Sequence, residues 1–273
     1  MSATIALPAK RYFPSDFVWM LFSLLFTIVA VHSVYVTLIR PQAEEIMATE
    51  QAMLKADKDY VPQRSFYLVI KDYEQEAEII HFIWAMLILG FKAVLVQRER
   101  RLLDQDLIHL REGIKILPED AKDYARQLEA LPAQARPMLV VRALRRALDR
   151  FGATRSIRDS AETAVAVCDN EADRLDSGLA MIRYIAWAIP AIGFIGTVRH
   201  IGDALLQAHK AVTGDISGVT SGLGIAFNAT FVALLLTIVL MFFLHQLQQS
   251  QERFVSDTET WIDDRLIRHM QAR

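Results

Sequence analysis

"AIPAIGFIGTVRHIG", residues 188–202, is the stretch whose reading decides the fold. It is apolar at both ends of its first half, yet it holds Pro190, Gly193, Gly196, Gly202 and Thr197, and it closes on Arg199 and His200. A helix that only filled a soluble core would avoid such breakers. A helix that must let other backbones come close has a use for them. Composition favours the second setting. Of 273 residues, 53% are hydrophobic, and the mean hydropathy is +0.22, too apolar for an ordinary soluble domain of this size.

Two runs cross a bilayer by length alone: Phe17 to Ile39 and Gly222 to Leu244, each 23 residues without a charge. Ile79 to Val96 adds 18 residues with one lysine, Lys92, close enough to the end to snorkel. Tyr184 to Val198 is charge-free for 15 residues and needs Met181 and Ile201 on either side to span. Four transmembrane helices result. No cleavable leader is expected, because the first apolar run is too long for one and lacks a cleavage site.

Lysine and arginine set the orientation. With the N-terminal part, the long middle segment and the tail inside, the split is 21 inside to 5 outside. The expected organisation is a cytoplasmic N-terminus (1–15), a first span (16–40) and a periplasmic helical segment (41–77). A second span (78–97), a cytoplasmic helical domain (98–178) and a third span (179–203) come next. A short periplasmic loop (204–220), a fourth span (221–246) and a cytoplasmic helical tail (247–273) complete the chain. The segment 41–77 reads as extensions of the first two membrane helices, folded back near "DYVPQRS".

Within the cytoplasmic part, "LVVRALRRALDRFG" (139–152) places Leu139, Val140, Ala143, Leu144, Ala147, Leu148 and Phe151 on one face, with arginines opposite. Gly152 is the expected stop. "TAVAVCDNEADRLDSGLAMIRYIAW" is expected to run unbroken into the third membrane helix. The fold class is therefore an all-α integral membrane protein with four membrane helices and a helical cytoplasmic domain.

Chemistry by motif is scarce. The histidines form no metal-binding pair, there is no phosphate-binding lysine loop, and "SGLGIAF" has Phe227 where a dinucleotide fingerprint needs its third glycine. The single cysteine, Cys168, excludes an intrachain disulfide and a cysteine-rich metal site. Catalytic residues, cofactors and metals are all expected to be absent. A net charge of −2 gives no bulk attraction to nucleic acid. His32, isolated in the first span, is expected to hydrogen-bond a neighbouring helix. Arg142, Arg145, Arg146 and Arg150 read as a solvated face.

The polar residues within the spans form stripes. Pro190, Gly193 and Thr197 share one face of the third helix. Gly222, Ala226, Ala229, Ala233 and Thr237 do the same on the fourth, with Thr230 close to that face. Small residues let backbones approach, and hydroxyls give a polar lining without a charge. Spacing alone leaves two readings open: a pore wall, or helix packing with each threonine bonded to its own carbonyls.

"AIPAIGFIGTVRHIGDAL" followed by "SGLGIAFNATFVALLL" resembles the paired signature of the MotA/TolQ/ExbB proton-channel family. The first motif, P-x-x-G-x-x-G-T-V-x-G-I, is matched at Pro190, Gly193, Gly196, Thr197, Val198 and Ile201. The second is met by Gly222, Leu223, Ala226, Phe227, Ala229 and Thr230. Roughly residues 180–248 carry the resemblance. His200 stands where the family has glycine, Ile225 where some members carry an acid, and Val239 near a proline usual in the last helix.

The resemblance implies a homo-oligomeric ring, typically a pentamer. Its last two helices would surround the single membrane helices of a MotB/TolR/ExbD-type partner dimer, whose membrane aspartate takes up and releases the ion. Thr197 and Thr230 would stand beside that carboxylate. Pro190, Gly193, Gly196, Gly222, Ala226, Ala229, Ala233 and Thr237 would set helix packing and pore shape. The transported ion would be H+ or Na+, the site the bacterial inner membrane, and the role energy transduction. A membrane scaffold that keeps the fold without conducting is the alternative.

Overall fold

The computed structural model describes residues 15–57, 60, 65–108, 115–211 and 216–272. The N-terminal residues 1–14 and most of the expected fold-back at 59–65 lie outside the described residues, as does the 212–215 part of the outer loop. Among the described residues the chain is all-helical, with one isolated parallel bridge, Ile116 to Met270. Four helices are long and apolar enough to cross a membrane, within Phe17–Ala56, Tyr73–Arg100, Ile157–Leu206 and Gly218–His269.

The chain divides into two units, one ending at Ile88 and resuming over Ile185–Leu240, the other comprising Leu89–Tyr184 and Met241–Arg273. The apolar unit begins with α1 (Ser15–Val34), a π-helical turn (Tyr35–Ile39) and α2 (Arg40–Ala56). Pro41 explains the wide turn. It has no N–H, and its ring collides with the carbonyl four residues back in a straight α ladder. Just ahead of it the ladder opens to five-residue spacing, with Arg40 N donating to Tyr35 O. Next in the chain are α3 (Phe66–Ile70) and α4 (Tyr73–Arg100). α8 (Ala180–Leu206), α9 (Ala208–Ala211) and α10 (Ser217–Arg265) complete the set. Trp84 of α4 ties to α1 by donating its indole N–H to Met20 O and Ser23 Oγ at 3.1 and 3.2 Å.

Exposure in this unit is inverted relative to a soluble protein. Phe22, Phe26, Trp187, Phe194, Ile195, Phe227 and Ile238 are exposed, while Gln75 and Glu78 are wholly enclosed. Bare apolar side chains over such long helices fit a lipid environment or contact with further copies.

The polar unit has a core of its own. α6 (Leu139–Thr154) buries the face expected from its periodicity, Leu139, Ala143, Leu144, Ala147, Leu148 and Phe151, each 0% exposed. Around it lie α5 (Ala121–Glu129), α7 (Ile157–Ser177) and, from the C-terminal part of α10 onward, Phe254, Ile262, Leu266 and Met270. The N-terminus of α6 has no cap of its own. Glu99 supplies one, accepting from Leu139 N at 2.9 Å, which places a carboxylate on the positive end of the helix.

Two local expectations are corrected here. α6 does not stop at Gly152 but runs to Thr154 and ends at Arg155, in the left-handed region at φ 56°. The start of the next helix imposes the stop. Ser156 caps α7, its hydroxyl accepting from Asp159 N at 3.2 Å, and the chain has one residue in which to reverse. The second correction concerns the run into the third span. α7 and α8 are separate helices, broken at Gly178 and Leu179, where Leu179 N turns to Asp176 O at 3.0 Å.

Candidate ion pathway

The motif glycines of α8 face α10 and α4 at contact distance. A Cβ on Gly193 would stand 2.6 Å from Ala233 Cβ and 3.2 Å from Ala229 O. On Gly196 it would lie 2.8 Å from Ala229 Cβ and 2.9 Å from Glu74 Cγ. Farther along, a Cβ on Gly222 would meet Ala204 Cβ at 2.7 Å. Ala226, Ala229 and Ala233 are 0% exposed. The small-residue stripe thus brings α8 and α10 of one chain together. Pro190, inside α8, is half-buried on the same helix.

Close approach has a polar consequence. Thr197 Oγ1 and Thr230 Oγ1, from different helices, lie 2.5 Å apart. Thr197 also reaches Gly193 O at 3.1 Å and Ala226 O at 3.0 Å, and Thr230 reaches Gly193 O at 3.2 Å. Two hydroxyl protons serve four contacts, so the cluster keeps acceptor capacity for another donor. Both threonines are half-buried. Thr237 is apart from them and donates to its own helix, to Ala233 O at 2.8 Å. Of the two readings left open by spacing, own-helix bonding describes Thr237, whereas Thr197 bonds both its own helix and α10, and Thr230 bonds α8.

The start of α4 adds groups that sequence reasoning missed. Glu76 takes His32 Nδ1 from α1 at 2.6 Å and the Arg40 guanidinium. Glu74 accepts from Arg199 at 2.8 Å, and His200 Nε2 stands 3.9 Å from both Asp72 and Glu74. Arg199 and His200, the anomalous end of the opening stretch, therefore face Glu74 of α4 and Asp72 just ahead of it. His32 bonds a neighbouring helix as expected. In sequence, "KDYEQEAEII" reads as a solvated flank to an apolar run. The available signal was that Glu74 and Glu78 share one helix face at four-residue spacing.

Among the described residues no group of three or more histidine, cysteine or acidic side chains is arranged to hold a metal ion. Residues 135–260, from just ahead of α6 to near the end of α10, match the model of the MotA/TolQ/ExbB proton channel family. This segment is similar to that family. Its MotA/TolQ/ExbB match contains Thr197, Thr230 and the whole small-residue stripe, while the acids of α4 lie outside it. Comparison with curated proteins and with solved structures gave no match. With four membrane-capable helices and a channel-family segment, the chain is a multi-pass membrane protein.

Proposed function

We propose that the chain is a proton-conducting ring subunit of an energy-transducing complex in the bacterial inner membrane. Copies of it, five by family resemblance, surround the membrane helices of a MotB/TolR/ExbD-type partner dimer. Both termini and the polar unit face the cytoplasm, and residues 41–77 face the periplasm. The observation that carries this reading is the half-buried Thr197–Thr230 pair, bonded between α8 and α10 inside the family-matched segment.

A hydroxyl suits a site that must accept a proton-bearing acid and then its anion, since it accepts from the first and donates to the second. The partner aspartate supplies the carboxyl, and the threonines hold it in either state. Each proton that crosses releases about 2.3 kcal/mol per 100 mV of membrane potential. That energy drives rotation or rearrangement of ring against partner.

The test is proton flux into vesicles that hold the subunit with a co-purified one-helix partner. The blocked control changes the partner's membrane aspartate to asparagine. Flux abolished by that change supports the reading, and equal flux in both overturns it. Replacing sodium by choline without loss of flux identifies the ion as H+.

A further inference from the structure

Glu78 is 0% exposed, and among the described residues neither of its carboxyl oxygens has a hydrogen-bond partner. Gln75, one turn before it, is equally enclosed, and its amide is unpartnered at both ends. The cations of the neighbourhood are committed elsewhere. Arg40 and His32 are on Glu76, Arg199 on Glu74 and Lys71 on Asp72. His200, from α8, approaches only Asp72 and Glu74. Tyr35 presents an unpartnered hydroxyl from the π turn, and Thr230 of α10 donates to Gly193 O at 3.2 Å.

Glu78 also touches the motif. Its Oε1 lies 3.2 Å from where a Cβ on Gly193 would stand, and Gly193 O is the carbonyl that both threonine hydroxyls reach. Gly193 sits mid-way along the apolar run Tyr184–Val198. A carboxylate left ionised there, without donor or counter-ion, is expensive, and taking up a proton is the cheapest relief. Because the group is enclosed by its own chain, it is not a contact waiting for a subunit. An acid kept in such a place is a functional group by default.

We propose that Glu78 is a proton-binding site of this chain, through which the transported proton reaches the Thr197–Thr230 cluster. The inference rests on the proposed function for its direction of travel. Glu74, one turn nearer the start of α4 and on the same face, is the preceding carboxyl. In the step, an O–H bond on the donor breaks as one forms on a Glu78 oxygen. On release that O–H bond breaks as a new one forms on the ionised aspartate of the proposed partner, which the hydroxyl pair adjoins, with no electrons exchanged.

The full chain in lipid nanodiscs is titrated by infrared difference spectroscopy, which reports the C=O stretch of a protonated carboxyl in apolar surroundings. The expected band disappears in Glu78→Gln, shifts in Glu78→Asp and is unchanged in Glu44→Gln, an exposed position on α2. In partner-loaded vesicles Glu78→Gln is expected to lower proton flux about 100-fold or more, and Glu78→Asp to restore part of it. A band that survives Glu78→Gln, or full flux in that variant, overturns the inference. If Glu78→Gln fails to assemble, the wild-type and Glu78→Asp titrations decide, and coincident spectra overturn it. A titrating Glu78 band in a chain that carries no current with its partner supports the binding site while removing the proposed function.

Discussion

At Thr197 and Thr230 valine would keep the shape of the side chain and remove a hydroxyl that bonds across helices. Either Thr→Val change removes a hydroxyl from a cluster whose members bond each other, so the loss is expected to be similar at both sites. On the proposed function it amounts to about 1–3 kcal/mol of stabilisation for the proposed partner's carboxyl, read as reduced proton flux with assembly intact. The double variant is expected to lose less than the sum of the singles, because the two hydroxyls share one interaction. Thr→Ser at either position keeps most of the flux. Full flux in both valine variants would reduce the pair to packing. Arg155 offers a check of a different kind. Its left-handed backbone costs a side-chain-bearing residue about 1 kcal/mol or more, so Arg155→Gly is expected to hold or raise the melting temperature. Ser156→Ala, one residue on, removes the cap of α7 and is expected to lower stability by about 1 kcal/mol.

At the scale of helices, the glycines differ in what surrounds them. Gly193→Ala forces a Cβ to within 2.6 Å of Ala233 Cβ, both on packed helices, and is expected to cost about 1–3 kcal/mol. Gly90→Ala and Gly224→Ala meet nothing within 4 Å, and each is expected to be neutral or stabilising in a detergent melt. Equal melting temperatures for all three would mean that α8 and α10 do not approach as described. The helices and the buried face of α6 were legible in sequence, because their periods are local and a membrane span is written as a run of apolar residues. The Thr197–Thr230 pair was half legible: each threonine shows on its own helix, but the bond between them needs the register of α8 on α10. Glu78 was legible only as an acid that shares a helix face with Glu74. It abuts an apolar run, as flanking acids do, and only Gly193 and the commitment of Arg40, His32 and Arg199 to other acids set it apart.

For the molecule as a whole, a cysteine placed at Gln51 is expected to react with an impermeant thiol reagent on intact cells. Cys168 will stay silent even after lysis. Burial pushes its thiol up to about 11, so little thiolate forms at neutral pH, and the side chain is 0% exposed. Gln51 that labels only in lysed cells would reverse the assigned orientation. The exposed apolar side chains of the membrane unit, Phe194, Phe227 and Ile238 among them, need lipid or further copies to cover them. Native mass spectrometry in mild detergent is expected to show one closed homo-oligomer, of five copies. A monomer under conditions that hold other membrane complexes together would count against the ring.

The π turn at Tyr35–Ile39 has a consequence for how this chain tolerates insertions and deletions. A five-residue ring absorbs about one residue more than the α ladder on either side, so it is a local store of slack. A one-residue deletion there is expected to leave α2 facing as it does, with Arg40 still on Glu76. The same deletion within α1 would swing everything beyond it by about 100° and part that pair. Length variants of this helix are therefore expected to keep the Arg40–Glu76 pair when changed at the wide turn and to lose it when changed a few residues away.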